Sequence, residues 1–332
     1  MIITYSIISK SEVKREKLKA GSSIPSSAVW IDVMNPTEEE KKLLHRTFEV
    51  DIQSRNALDK TEVSHPFYNE NGACYMTVTT LYHNNDGYLD GTPLTCILKD
   101  NIVITLRYTQ PLFFNNCEAS LIRKPELCER PESILGEIIN SSVNTIADLL
   151  ETTGNNLDNL LNSVFENPYK YKSKNKRNSA DYYEKTIQTI GREGNVISKN
   201  RESLLSISRL LIFYNQTDVS DNITKREHRK QFHHLASEVH SLGGYATFIS
   251  QRHMFLLDAT LGLLGVEQNK IIKVFTVAAA VFMPPTMIAS IYGMNFDNMP
   301  ELHFSYSYPI ALGFILLSAI LPYIYFKIKN LL

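Results

Sequence analysis

The chain has 332 residues, a formal net charge of −1 and 21% charged side chains. That length suggests two or three structural units, and the near-zero charge argues against a polyanionic partner such as nucleic acid. Mean hydropathy is slightly polar, which excludes a chain that is membrane throughout; the average nevertheless conceals two long uncharged runs near the C-terminus.

The chain opens with Met1–Ile8, apolar in part, and turns charged at Lys10. It has no basic start, long apolar run or small-residue cleavage site, so no signal peptide is expected. Residues 1–130 read as a mixed α/β domain. Val29–Val33 is a strand by composition. Asn35-Pro36-Thr37-Glu38-Glu39-Glu40 has the cap, proline and acidic first turn of a helix start. Alternation at Cys74–Leu81, Leu94–Leu98 and Ile102–Leu106 predicts strands, with turns at Asp86-Gly87 and Asp100-Asn101. Cys74, Cys96, Cys117 and Cys128 show no CxxC spacing. In a reducing cytoplasm they are expected as free core thiols.

After Pro131 the pattern becomes helical, and residues 131–222 are expected to hold cytoplasmic helices. One runs over Glu132–Phe165 and another from about Ala180 to Tyr214. Between them Lys170, Lys172, Lys174, Lys176 and Arg177 form a basic run. With no aromatic platform beside it, a solvated connection is favoured over nucleic-acid binding. From Ile223 to Met283 there is no proline. A continuous helix there would be about 90 Å long at roughly 1.5 Å per residue. Residues 223–273 are read as its stalk, suited to packing against copies of itself, with Gly243-Gly244, Gly262 and Gly265 as points where it could bend. The histidines 228, 233, 234, 240 and 253 lie on it without a His-Glu-x-x-His spacing, so they are read as solvated.

Val274–Tyr292 and Tyr306–Phe326 carry no charge. Each run is about 20 residues, enough to cross a bilayer as a helix. The segments are therefore a first span at 274–292, a loop at 293–305, a second span at 306–326 and a basic tail at 327–332. Pro284-Pro285 falls inside the first span, where a kink is tolerable if neighbouring helices cover the freed carbonyls. Lys270 and Lys273 precede the first span, Lys327 and Lys329 follow the second, and the loop has no Lys or Arg. The positive-inside rule places both ends in the cytoplasm and the loop outside.

Two spans per chain cannot enclose a hydrated pore, so any conduit needs several chains. One face of the first span and its stalk, stepped at three and four residues, reads Asp258, Leu261, Gly265, Asn269, Ile272, Thr276, Ala279, Met283, Thr286 and Ser290, with Phe275 adjacent. On periodicity alone, small-residue helix packing is the stronger reading of this face.

Tyr292-Gly293-Met294-Asn295-Phe296 directly after that span, followed by Met299-Pro300-Glu301-Leu302, resembles the CorA family of magnesium channels. Glu267-Gln268-Asn269-Lys270-Ile271-Ile272-Lys273, Met283-Pro284-Pro285-Thr286 and Pro322-Tyr323-Ile324-Tyr325-Phe326-Lys327 carry the same resemblance. It is dense over residues 265–332 and looser in the cytoplasmic portion. It implies an α+β cytoplasmic domain (a mixed sheet with flanking helices) followed by a long stalk helix and two C-terminal transmembrane helices. It further implies a homopentamer in the inner (plasma) membrane, its pore lined by the first span. The funnel of such an assembly senses internal metal, and Mg2+ is both cargo and regulator. Cobalt and nickel are further cargoes of the family.

Magnesium holds its waters tightly. A ring of neutral oxygens can bind that hydration shell. Asn295 supplies a side-chain carbonyl, and Gly293 allows close backbone approach. These two residues are assigned to the outer mouth, with Met294 and Phe296 packing the loop and Tyr292 bracing it or anchoring at the interface. Asp297 and Glu301 either concentrate cations or are solvated loop charges. A divalent ion gains about 4.6 kcal/mol per 100 mV on entry, so a gate is expected. Apolar rings at Ile272, Met283 and Phe275 could close by dewetting, with Asn269 a polar ring below them, as in the family. Asp258 matches an acidic position of the family and is the candidate for internal metal sensing.

Two other readings stand beside this one. A related two-span family moves zinc, though its members usually vary the residue at Met294. A membrane-anchored sensor or scaffold explains the spans but not the motif. No nucleotide loop, nucleophile elbow or metal-hydrolase signature occurs, so an enzyme is not expected.

Overall fold

A computed structural model of the chain describes residues 1–9, 12–18, 22–55, 58, 65–165, 179–217, 223–295, 299–300 and 304–329. The basic run at 170–177 lies outside these. The described chain forms two compact units, Met1–Glu166 with Thr189–Leu256, and Asn167–Gln188 with Leu257–Leu332.

The first unit is built on a seven-stranded sheet. In chain order its strands are β1 (Ile2–Ser9), β2 (Glu12–Lys17), β3 (Ala28–Met34), β4 (Phe67–Glu70), β5 (Ala73–His83), β6 (Leu89–Lys99) and β7 (Ile102–Arg107). They lie side by side as β2-β1-β3-β7-β6-β5-β4. All neighbours are antiparallel except β3 and β7, which run parallel with Trp30 opposite Val103 and Val33 opposite Leu106. The expected strands at 29–33, 74–81, 94–98 and 102–106 are present and longer. Strands β1 and β2 were not anticipated. Two-residue hairpins need left-handed backbone. Asn71 and Gly72 supply it between β4 and β5 (φ 49° and 72°), and Asp100 (φ 51°) helps close β6 onto β7.

Helix α1 (Glu38–Phe48) starts with a reciprocal cap, in which the Glu40 N–H donates to Thr37 Oγ1 at 3.3 Å and the Thr37 N–H donates to Glu40 at 2.9 Å. It covers one face of the sheet through Leu44, against Ile2, Ile31, Val33, Ile97, Ile104 and Leu106. The period-two alternation of β3 sends Trp30 and Asp32 to the other face. There α2 (Phe114–Arg123) and α3 (Pro131–Phe165) pack. On this face Asp32 is buried yet fully engaged. Arg107 donates to it from Nε at 3.0 Å and from Nη2 at 2.8 Å, and Thr105 Oγ1 donates at 3.0 Å. Burial raises the Asp32 carboxyl while the Arg107 hydrogen bonds and charge and the Thr105 hydrogen bond pull it back. The Arg107 guanidinium also lies 3.9 Å over the Phe114 ring.

Helix α4 (Ser179–Thr217) docks on the sheet through its second half. Asn195 donates to the Leu89 carbonyl at 3.1 Å, and Lys199 pairs with Asp90 at 3.0 Å. The Lys199 ammonium holds the Asp90 carboxyl below its ordinary range. Helix α5 spans Ile223–Tyr292 without interruption, 70 residues, and contributes to both units. No break occurs at Gly243-Gly244, Gly262 or Gly265. In the first unit α3, α4 and the start of α5 pack together. Gly194 admits the His253 ring, whose Nε2 donates to the Ile190 carbonyl at 2.9 Å. His253 is therefore packed and hydrogen-bonded, which corrects the solvated reading of that histidine.

The second unit holds the rest of α5 and α6 (Ser307–Ile328). These two helices are long and apolar enough to cross a membrane, and almost nothing in their apolar windows is buried within one chain. Pro284 and Pro285 leave the carbonyls of Ala280 and Val281 without their helical donors. All four residues are half-shielded, on the same side as buried Val277. The helix thus turns its broken ladder away from its open face and continues.

Candidate ion path

Helix α5 places the residues of the traced face on one continuous stripe. Asp258, Leu261, Asn269, Ile272, Thr276, Ala279, Met283, Thr286 and Ser290 are exposed, and Gly265 is half-shielded. Phe275, beside the stripe, is 70% exposed. The opposite side of the membrane part, Val277, Ala280, Val281, Pro284 and Ile288, is buried or half-shielded. Its spacing of three and four residues marks one helical face. The segment therefore has a partly shielded side made of small and branched residues and an open side carrying every candidate pore residue.

The open side is chemically graded. At its lower end stands the carboxylate of Asp258, with Asn269 further up. Ile272 and Met283 are large, apolar and 60% and 69% exposed. Between and above them are two threonines whose hydroxyls are already committed. Thr276 Oγ1 donates to the Ile272 carbonyl at 2.8 Å, and Thr286 Oγ1 to the Phe282 carbonyl at 2.7 Å. A hydroxyl that spends its proton on its own helix keeps lone pairs on the oxygen. Both threonines therefore offer acceptors, the polarity that suits the water shell of a cation.

The helix closes at the motif. The Gly293 N–H donates to the Ala289 carbonyl at 3.0 Å, and the Met294 N–H to the Ile291 carbonyl at 3.2 Å. The second bond spans three residues, a tightened last turn. A Cβ on Gly293 would sit 3.2 Å from the Ala289 carbonyl oxygen. That oxygen is the one the Gly293 N–H already bonds, an ordinary helical contact, and the φ of Gly293 lies outside the left-handed region. The C-terminal turn of a helix is the negative end of its dipole, and α5 directs that end at the motif. Tyr292, Gly293, Met294 and Asn295 are all exposed. Phe296, Asp297 and Glu301 lie outside the described residues.

Among the described residues, no three His, Cys, Asp or Glu side chains converge on a possible metal position. Sequence reasoning overlooked the committed hydroxyls of Thr276 and Thr286. The signal was present in their spacing, since Thr on a helix can donate to the carbonyl four residues earlier.

Comparison with known proteins agrees with this architecture. A family profile described as "CorA-like Mg2+ transporter protein" matches residues 25–327. The magnesium transport protein CorA of Wolinella succinogenes is 30% identical over 313 residues, covering 92% of this chain and 91% of that protein. That of Pasteurella multocida is 28% identical over 306 residues, covering 92% of each. Among solved structures, the CorA magnesium transporter from Methanocaldococcus jannaschii superposes with a TM-score of 0.70 at 17% identity, covering 98% of this chain and 97% of that one. The ZntB cytoplasmic domain from Vibrio parahaemolyticus gives 0.56 at 12% identity over 78% of this chain. At such identities the structures speak for the fold alone. The family profile runs from β3 through the stalk to the end of α6, and on that match the chain belongs to the CorA-like Mg2+ transporter family.

Proposed function

We propose that this protein is a channel that imports Mg2+ down its electrochemical gradient, passes Co2+ and Ni2+, and is gated by internal metal. Five copies assemble with the open stripe of α5 facing a shared axis and α6 outside it. Both termini lie in the cytoplasm, as Lys273, Lys327 and Lys329 favour, and the motif faces out. The domain boundaries follow the same plan: residues 1–130 and 131–222 form the cytoplasmic body, 223–273 the stalk, and 274–292 and 306–326 the spans.

One observation carries this reading. Every candidate pore residue of α5 from Asn269 to Ser290 is exposed in a single chain, while Val277, Ala280, Val281, Pro284 and Ile288 opposite them are buried or half-shielded. An open, uncharged face that is polar in part suits a hydrated conduit better than lipid tails. Gly293 and Asn295 form the outer mouth, where neutral oxygens and helix dipoles attract a hydrated ion without stripping it. Tyr292, Met294 and Phe296 hold the mouth in shape, and Asp297 and Glu301 draw cations towards it. Ile272, Met283 and Phe275 form dewetting rings. Asp258 binds internal Mg2+ and favours the closed state.

Purified protein in liposomes loaded with a magnesium-sensitive dye tests this. Wild-type protein should admit Mg2+ when the interior is made negative, and Asn295→Ala should abolish the signal. Flux undiminished in Asn295→Ala would remove Asn295 from the mouth. No flux from intact oligomer would favour a non-conducting scaffold, and preference for zinc in competition would favour the zinc reading.

A further inference from the structure

The end of α6, with its capping residue Lys329, carries two tyrosine–lysine pairs, Tyr323 with Lys327 and Tyr325 with Lys329. Members of each pair are four residues apart and share a helical face. The half-shielded positions Ala311, Ile315, Ala319, Pro322 and Phe326 form a single stripe along α6. At about 100° per residue Tyr323 and Lys327 fall on one flank of that stripe and Tyr325 on the other, with Lys329, five whole turns from Ala311, at the edge of the stripe beside Tyr325. All four side chains are exposed.

Each flank thus presents a phenol and, about 6 Å further along the axis, an ammonium group. Aromatic rings settle at the headgroup boundary and lysines reach for the phosphates beyond it, so this is the depth order of a bilayer interface. Lys270 is paired with Glu267 at 2.7 Å. Lys273, Lys327 and Lys329 have no such carboxylate partner among the described residues, and α6 contains no acidic residue. Lys273 immediately precedes the first span, which in the two-span reading puts it on the same side of the membrane as the α6 end.

We propose that Tyr323/Lys327 and Tyr325/Lys329 form two binding sites for the phosphate of an anionic phospholipid, one on each flank of α6, with Lys273 adding a third cation on the same side of the membrane. An anionic headgroup is selected over a zwitterionic one because the latter brings its own ammonium, which competes with the lysines for the phosphate. The inference rests on the two-span membrane reading and is independent of ion conduction.

Native mass spectrometry of the full-length protein tests it, with equal amounts of phosphatidylglycerol and phosphatidylcholine of matched acyl chains. Wild-type protein should retain phosphatidylglycerol several-fold over phosphatidylcholine. Lys327→Gln with Lys329→Gln should bring the two lipids to equal retention, and the corresponding arginine variants should keep the preference. Lys14→Gln with Lys17→Gln, which removes equal charge from β2, should also keep it. Equal retention by wild-type protein would overturn the proposal. So would an undiminished preference in the α6 glutamine variant, or an equal loss in the β2 control. The readout needs no ion flux, so a failure of the conduction reading leaves it unaffected.

Discussion

Ser203 donates from Oγ to the Thr79 carbonyl at 2.7 Å, and the Thr79 N–H donates to Ser206 Oγ at 2.9 Å. The arrangement follows from where β4 stops. The Thr77 N–H donates to the Pro66 carbonyl, away from β6. Two residues on, the Thr79 groups point the same way, but the pairing of β4 with β5 ends at Met76. Helix α4 covers the bare edge with its serines. Ser203→Ala should lower the stability of the first unit by about 1 kcal/mol, since Ser206 Oγ also reaches the Thr79 carbonyl, at 3.4 Å, and limits the loss. Denaturant titration of the detergent-purified protein measures it, and an unchanged midpoint would contradict the docking role.

Gly194 and His253 interlock α4 with α5. A Cβ at residue 194 would stand 2.6 Å from His253 Nε2. Gly194→Ala should push the ring off the Ile190 carbonyl and cost about 1–3 kcal/mol. Since His253→Ala removes the obstacle, the double variant should lose less than the sum of the single variants. Additive losses would show that the two residues do not meet.

The four cysteines are free, and Cys96, Cys117 and Cys128 are buried. Burial pushes the Cys96 thiol up to about 12 and those of Cys74 and Cys128 up to about 11, and raises Cys117 as well. Thiolate is the reactive form. Iodoacetamide at neutral pH should therefore leave the folded protein unmodified over a time in which unfolded chain takes four adducts. Intact mass reports the count. Rapid native labelling of Cys96 would contradict its burial.

If Ile272 and Met283 close the path by dewetting, a small polar side chain at either ring should keep it wet. Ile272→Ser or Met283→Ser should raise resting Mg2+ flux at high internal Mg2+ several-fold, with little change at low internal Mg2+. Liposome flux at two internal concentrations separates these cases. Unaltered flux at high internal Mg2+ would remove both residues from the gate.

The parts legible in the sequence were those with a local signature. The helix start within Asn35–Glu40, the strands β5 to β7 and both membrane segments declare themselves in short runs of sequence, while the reciprocal cap of Thr37 with Glu40 came only with the structure. Strands β1 and β2 did not. The first was weighed as a leader segment, and the second, Glu12–Lys17, is a polar edge strand with only Val13 buried. The Asn71-Gly72 turn was readable but passed over. Long-range contacts lay beyond any pattern: Asp32 with Arg107, Ser203 with Thr79, and His253 with Gly194 join residues whose meeting depends on the completed fold. The face of the candidate path was traceable because helical period alone fixes it. Which of its hydroxyls were committed became visible only with coordinates.

The uninterrupted course of α5 makes the phase of the candidate path a property of chain length. Asp258 and Asn269 share a face only because eleven residues advance close to three whole turns. One residue inserted near Gly262 would rotate everything after it by about 100° and swing Ile272 to Ser290 off the line of Asp258. Seven inserted residues would restore the alignment to within about 20°. In this segment deletions and insertions are therefore graded by angle, and the most damaging are those closest to half a turn.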